Sequence, residues 1–119
     1  MPVLHPPIDF STALHYVEGD KSLLADVVEV FLKEYPRQMV HLRDAIRRGD
    51  VYQLERSAHG LKATVGAVGA STAYTLATEL ETMGRTSHLE AAATVFQHLD
   101  GELERVAAFF GEPAWKEYI

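Results

Sequence analysis

The chain contains no cysteine among its 119 residues. Disulfide bonds, thiolate metal sites and cysteine nucleophiles are therefore excluded, and the composition fits a reducing cytoplasm. No apolar run approaches the roughly 18 residues that a membrane-spanning helix needs. Residues 1–7 lack the basic and apolar regions of a secretory signal peptide. We therefore expect a cytoplasmic protein that does not insert into a membrane.

Basic residues are scarce relative to acidic ones. Eleven Lys and Arg stand against seventeen Asp and Glu, which gives a formal net charge of −6. This charge disfavours binding to nucleic acid or to an anionic membrane. The sequence also has no His pair at i, i+4, no Glu-x-x-His run and no glycine-rich loop ending in Lys-Ser or Lys-Thr. We expect no metal site, no cofactor and no independent ATP-dependent kinase activity.

The alternation of apolar and polar residues that is typical of strands is also missing. Apolar residues instead recur at the three- and four-residue spacing of helices. The pattern predicts a short helix near residues 10–17 and longer helices at about 21–48, 51–68, 71–83 and 89–110. The second is predicted to be one helix kinked at Pro36 rather than two helices, because its apolar stripe stays in phase. Gly84 is predicted to end the fourth helix, and Ser87-His88-Leu89-Glu90 to form a capping box for the fifth.

Short loops between four amphipathic helices imply antiparallel neighbours. We therefore predict an all-α fold, an up-down antiparallel four-helix bundle with a short extra N-terminal helix. The length fits a single domain over residues 1–119, which we expect to be a monomer. Residues 1–7 would form an extended arm, residues 8–110 the bundle and residues 111–119 a tail. Trp115 and Tyr118 in this tail are expected to fold back on the bundle.

The third predicted helix carries the most informative residues. Its apolar stripe consists of Leu54, Ala58, Leu61 and Val65. At about 100° per residue, His59 lies roughly 130° from the middle of this stripe and should be exposed. Lys62 lies one turn further along, on the shoulder between the stripe and solvent. The neighbouring positions Gly60, Ala63 and Gly66 are small.

These residue types together suit the transient carriage of an anionic group. Glycine within a helix costs ~1 kcal/mol relative to alanine, so Gly60 and Gly66 indicate a need for open space. An exposed imidazole with an ordinary pKa of about 6.5 is mostly a neutral nucleophile at pH 7. A cation at i+3, such as Lys62, reaches a group attached to the ring. Glu55, at i−4, either hydrogen-bonds Nδ1 and directs attack through Nε2, or is an ordinary solvated carboxylate.

The segment His59-Gly60-Leu61-Lys62-Ala63, followed by Gly66 and Gly69-Ala70, resembles the signature of histidine-containing phosphotransfer (HPt) domains. The resemblance extends over about residues 10–110 and includes Leu80-Glu81. One position departs from the pattern, because the family usually has glycine directly after the lysine and this chain has Ala63. A methyl group is a small intrusion, so we expect docking to survive with altered partner preference.

The resemblance implies a phosphorelay intermediate. His59 would be the phosphoacceptor, Lys62 would stabilise the phosphoryl group, and a docking surface would include Glu55, Gly60, Ala63 and Gly66. The partner would be a receiver domain of a response regulator or hybrid sensor kinase, which would supply Mg²⁺. Two alternatives stay open, namely an unphosphorylated adaptor or inhibitor that binds a receiver or kinase, and a purely structural bundle. The cognate partners, the direction of flow and whether the chain is free-standing or one module of a kinase also stay open.

Overall fold

A computed structural model of the protein describes residues 6–119, so most of the predicted N-terminal arm, residues 1–5, lies outside the described residues. All regular structure in the described part is helical, which confirms the all-α prediction. None of the helices formed by residues 6–119 has the length and apolarity that crossing a bilayer requires. The elements are α1 (Phe10–Tyr16), α2 (Lys21–Arg48), α3 (Val51–Ala67), α4 (Ser71–Thr86), α5 (Ala92–Gly111) and a C-terminal 3₁₀ helix (Pro113–Tyr118).

The four long helices form the bundle. Helix α2 packs on α3, α3 on α4, α4 on α5, and α5 returns to α2. The short connections at residues 49–50, 68–70 and 87–91 make consecutive helices antiparallel. Helix α1 contacts α2 and α3 at one end. The predicted up-down bundle with a short extra N-terminal helix is confirmed.

Helix α2 sets the length of the molecule. Its 28 residues begin after Asp20, whose side chain accepts a hydrogen bond from the backbone N–H of Leu23. They end at Gly49, which adopts a left-handed conformation with φ of 65°. At 1.5 Å per residue the helix spans about 42 Å, which matches the longest dimension of the molecule, 42 Å. It continues through Pro36, as its uninterrupted apolar stripe predicts.

Gly84 does not end the fourth helix, so that prediction was wrong. Helix α4 continues to Thr86, and Gly84 is buried within it. A Cβ atom on Gly84 would lie 2.6 Å from the backbone nitrogen of Glu55 and 2.8 Å from the carbonyl oxygen of Val51. Gly84 therefore lies where α4 comes very near the backbone of α3, and glycine is needed there for space.

The predicted capping box at Ser87 was also wrong. Ser87 adopts a left-handed conformation with φ of 56° and terminates α4. Its N–H donates to the carbonyl of Gly84, and the N–H of His88 donates to the carbonyl of Met83. Because this backbone satisfies the end of α4, it cannot also begin the next helix. Helix α5 starts only at Ala92, without a side-chain cap.

The tail folds back on the bundle, as predicted. Trp115 is only 4% exposed, and its ring lies parallel to that of Phe10, with centroids 6.4 Å apart. It also packs edge-on against Phe110 at 5.3 Å, while Tyr118 stacks on Phe10 at 5.3 Å. These rings join α1, the end of α5 and the 3₁₀ helix into one aromatic cluster.

Candidate functional site

His59 stands clear of the bundle. Helix α3 begins after Asp50, whose side chain accepts a hydrogen bond from the backbone N–H of Gln53. The helix then runs unbroken past His59 to Ala67. Ala58 and Leu61 on either side are fully buried, whereas the His59 side chain is 68% exposed. The exposure predicted from the helical period is therefore present in the structure.

A carboxylate from the neighbouring helix joins His59 to Lys62. Glu81 of α4 lies with its Oε2 atom 2.7 Å from Nδ1 of His59. The ammonium of Lys62 donates to the other oxygen, Oε1, over 2.7 Å. Glu81 is itself only 9% exposed. The three side chains form one group, in which a nearly buried acid holds an exposed imidazole and a lysine.

The charges in this group define the proton positions. The hydrogen bond from Lys62 is the main influence that lowers the pKa of Glu81 below its ordinary 4.5, opposed by burial and assisted by the hydrogen bond from His59. The same contact raises the pKa of Lys62 above 10.5. Glu81 is therefore ionised at neutral pH, and an ionised carboxylate can only accept hydrogen bonds. Nδ1 of His59 must then carry the proton, which leaves the lone pair of a neutral ring on Nε2.

Lys62 is positioned from two sides. Its side chain is 22% exposed, which agrees with its predicted place at the shoulder of α3. Its Nζ lies 5.9 Å from the centre of the Tyr74 ring. An ammonium has three N–H donors, and the bond to Glu81 occupies one of them. The cation is thus held beside the imidazole with donor capacity remaining.

The small residues around His59 divide between two sides of α3. Gly60 faces α2, where an added Cβ atom would lie 3.9 Å from Nε2 of Gln38. Ala63 is also exposed on the α2 side, in a groove between the two helices. Gly66 lies on the α4 side, where an added Cβ atom would lie 3.3 Å from Cδ2 of Tyr74. Open space is therefore found beside Ala63, whereas Gly60 lies within contact distance of Gln38 and Gly66 lies against Tyr74.

Glu55 does not hold the histidine ring. Of the two interpretations of Glu55, the structure contradicts the hydrogen bond to Nδ1 of His59, because Nδ1 contacts Glu81 instead. The physical reason is that α4 packs closely against α3, which brings Glu81 within reach of His59. The backbone of Glu55 packs against Gly84, and Glu81 lies one turn before Gly84 on the same helix. The sequence contained a signal for Glu81, an acid spaced four residues from Ala77 and three from Gly84 on a buried face.

The other described histidines are isolated. His15, His41, His88 and His98 are all exposed. Within residues 6–119, no cluster of three or more His, Cys, Asp or Glu side chains could hold a metal ion. His59 is set apart from these histidines by its contact with a nearly buried acid.

The fold and this histidine site define a class of protein. The model of the Hpt domain family matches residues 26–109, most of the bundle. The chain therefore belongs to the Hpt domain family, which assigns it a histidine phosphotransfer role in the phosphorelays of two-component signalling.

Two solved structures share the fold. Histidine-containing phosphotransfer protein B (HptB) from Pseudomonas aeruginosa PAO1 has a TM-score of 0.82 and 20% sequence identity, over 96% of this chain and 97% of that one. The HPT domain of the Hpt sensor hybrid histidine kinase from Shewanella has a TM-score of 0.80 and 16% sequence identity. The match covers 92% of this chain and 95% of that domain. No curated protein matches the chain. At these identities the two structures establish the similarity of fold.

Proposed function

We propose that His59 is the phosphoacceptor and carries a phosphoryl group between aspartates of receiver domains. The observation that supports this role best is the exposed ring whose Nδ1 is held by Glu81 at 2.7 Å. A ring fixed at Nδ1 presents Nε2 outward in a single tautomer. A rigid partner can therefore approach a nucleophile that is already oriented.

The proposed reaction is a direct exchange of bonds to phosphorus. The lone pair on Nε2 attacks the phosphorus of an aspartyl phosphate, and an N–P bond forms as the P–O bond to the aspartate breaks. The aspartate leaves as a carboxylate, and the phosphorylated ring, which keeps its Nδ1 proton, becomes cationic. Glu81 faces that proton and stabilises the new charge. The reverse exchange passes the phosphoryl group to the next receiver.

Lys62 is proposed to stabilise the phosphoryl oxygens. Phosphoryl transfer passes through a loose transition state, so catalysis depends mainly on positioning and on charge stabilisation. The ammonium already lies beside the ring, because Glu81 accepts hydrogen bonds from both residues. Its remaining N–H groups can turn to the oxygens of a phosphoryl group bound to Nε2. Further catalytic groups, including Mg²⁺, are expected on the receiver.

The proposed partner is a receiver domain of a response regulator or hybrid sensor kinase. Ala63 borders the open groove between α2 and α3, and Gly60 faces the same side of α3, which supports their predicted place in the docking surface. The docking roles of Glu55 and Gly66, the monomeric state and the cytoplasmic location stay predictions. Ala63 adds one methyl group to this surface relative to glycine, which supports altered partner preference rather than loss of docking.

The proposal is tested by transferring radiolabelled phosphate from phosphorylated receiver domains. The wild-type chain should acquire label that is labile in acid and stable in alkali, as expected for phosphohistidine. His59→Gln should acquire none while keeping the helical circular dichroism spectrum. His98→Gln, which removes an exposed histidine of α5, is the matched control and should behave as wild type. Unchanged labelling of His59→Gln rejects the proposal, and receiver binding without any label favours the adaptor alternative.

A further inference from the structure

The ring of Tyr74, on α4, faces the cation of the proposed site. The Lys62 ammonium lies over this ring, with Nζ 5.9 Å from the ring centre. A cation within about 6 Å of the centre of an aromatic ring is attracted by the negative charge of the ring face. Tyr74 is also 43% exposed. Because so much of the side chain is exposed, core packing alone does not account for its position beside Lys62.

Gly66 leaves the space in which this ring rests on α3. A Cβ atom added at Gly66 would lie 3.3 Å from Cδ2 and 3.4 Å from Cε2 of Tyr74, closer than side chains normally pack. Gly66 follows Lys62 by four residues, which is about one turn of α3. The ring therefore contacts α3 at Gly66 and faces the cation one turn earlier. A glycine that is unfavourable for the helix permits this arrangement.

Helix α4 restrains the Lys62 ammonium in two different ways. Glu81 accepts a hydrogen bond from Nζ over 2.7 Å, and Tyr74 lies about two turns earlier on the same helix. The hydrogen bond occupies one of the three N–H donors. Attraction to the ring depends instead on where the charge lies over the ring face. The ring thus restrains a flexible lysine side chain and leaves its other donors for phosphoryl oxygens.

We propose that Tyr74 is a positioning residue for phosphoryl transfer, and that the face of its ring keeps the Lys62 ammonium beside the imidazole of His59. The inference rests on the proposed function, because Lys62 has this task only when His59 accepts a phosphoryl group. Tyr74 acts through Lys62 and not on the phosphoryl group itself. With the ring in place, the ammonium has less freedom to lose when it turns to the phosphoryl oxygens, so transfer is faster.

Two substitutions separate the ring face from the rest of the side chain. Tyr74→Phe removes only the hydroxyl, whereas Tyr74→Leu keeps an apolar side chain without a ring. Tyr52→Leu is the matched control, because it removes an exposed tyrosine whose ring also faces a cation, Arg56 at 5.6 Å. Each variant is made in the wild-type chain and in Lys62→Met, which removes the ammonium.

Single-turnover transfer is measured at increasing receiver concentration. Receiver domains of the source cell are phosphorylated with acetyl phosphate and Mg²⁺, and the one that labels the wild-type chain fastest is used. Tyr74→Leu should lower the maximal rate about two- to five-fold, as expected for loss of one partly exposed cation–π contact. Tyr74→Phe should restore nearly the wild-type rate, and Tyr52→Leu should leave the maximal rate unchanged. In Lys62→Met, Tyr74→Leu should have no further effect, because the ring has no cation to hold.

Proton NMR measures the contact itself. The methylene protons next to Nζ of Lys62 should be shifted upfield by the ring current in the wild type and in Tyr74→Phe, but not in Tyr74→Leu. The dispersion of the remaining resonances in the same spectrum shows that each variant is folded.

Three results overturn the inference while the proposed function stands. The first is an equal maximal rate for Tyr74→Leu and the wild type. The second is an equal fall in the wild-type and Lys62→Met backgrounds. The third is a change only in the receiver concentration for half-maximal transfer, which would make Tyr74 a docking residue. If Lys62→Met transfers as fast as the wild type, the role of Lys62 fails and this inference with it. If no receiver labels the wild type, the proposed function itself fails.

Discussion

At the scale of single residues, the site depends on how one carboxylate is shared. Glu81 accepts a hydrogen bond from Lys62 and another from His59, each over 2.7 Å. Because Lys62 keeps Glu81 ionised, Glu81 can only accept, and the imidazole proton stays on Nδ1. The nucleophilic atom is thus set by the ionised carboxylate of Glu81, whose charge Lys62 stabilises.

The shared carboxylate predicts how stability depends on pH. The pKa of Glu81 is lowered by folding, so its contribution is complete above about pH 4.5 and is lost as the pH falls through the folded value. The pKa of Lys62 is raised, so its contribution is complete below about pH 10.5 and is lost as the pH rises through the folded value. The free energy of unfolding lost in Glu81→Gln should therefore persist between about pH 5 and 10 and shrink on both sides.

Urea unfolding followed by circular dichroism measures this difference at each pH. Glu79→Gln removes an exposed acid of the same helix and is the control, for which we expect little change. If Glu81→Gln loses the same free energy of unfolding at pH 3 as at pH 7, the ion pair between Glu81 and Lys62 does not contribute as described.

At the scale of helices, the approach of α4 to α3 places the carboxylate. Gly84 lies one turn after Glu81, and its missing side chain lets α4 rest on the α3 backbone at Val51 and Glu55. A bulkier residue at this position would separate the two helices. Because Glu81 reaches His59 only across this contact, the spacing of the helices controls the geometry of the site.

Substitution of two glycines distinguishes the need for space at Gly84 from the general effect of glycine on helix stability. Gly84→Ala should destabilise the protein by about 1–3 kcal/mol, because the added methyl group meets backbone atoms that cannot move aside. Gly101→Ala is the control in α5, where nothing lies within 4 Å of the added Cβ atom. It should stabilise the protein by about 0.5–1 kcal/mol. Urea unfolding measures both values, and a stabilising Gly84→Ala would contradict the close contact.

At the scale of the whole molecule, the tail holds the first helix in place. The 3₁₀ helix lays Trp115 and Tyr118 against Phe10 of α1. Helix α1 in turn carries Tyr16, which lines the groove beside α2 and α3. Trp115 thereby contacts the helix that carries Tyr16, although more than 90 positions separate the two residues in the chain. The end of the chain therefore supports the shape of the proposed docking surface.

The aromatic cluster predicts a large effect of Trp115→Ala. Removing this buried ring should cost about 3–5 kcal/mol of unfolding free energy, because it leaves a cavity between α1 and α5. Tyr52→Ala, which removes a ring that is 65% exposed, should cost less than about 1 kcal/mol. Circular dichroism in urea measures both. Similar losses in the two variants would mean that the tail does not anchor α1.

Much of this protein is determined by the sequence alone. Helical period and short loops are local properties, and they correctly predicted α2 through Pro36, the antiparallel bundle and the exposure of His59. These features depend on residues three or four positions apart, whose relative directions a helix sets. The approach of α4 to α3 is different, because it depends on how two separate helices pack.

Only the tertiary structure decided the role of Glu81, the end of α4 and the opposite surroundings of Ala63 and Gly66. Gly84 shows the reason most clearly. A glycine followed by polar residues is typical of a helix end, but the same residue also permits two backbones to touch. Local spacing does not distinguish these uses, because the atoms that would clash with a Cβ belong to another helix. The acid that orients His59 is likewise supplied across that contact.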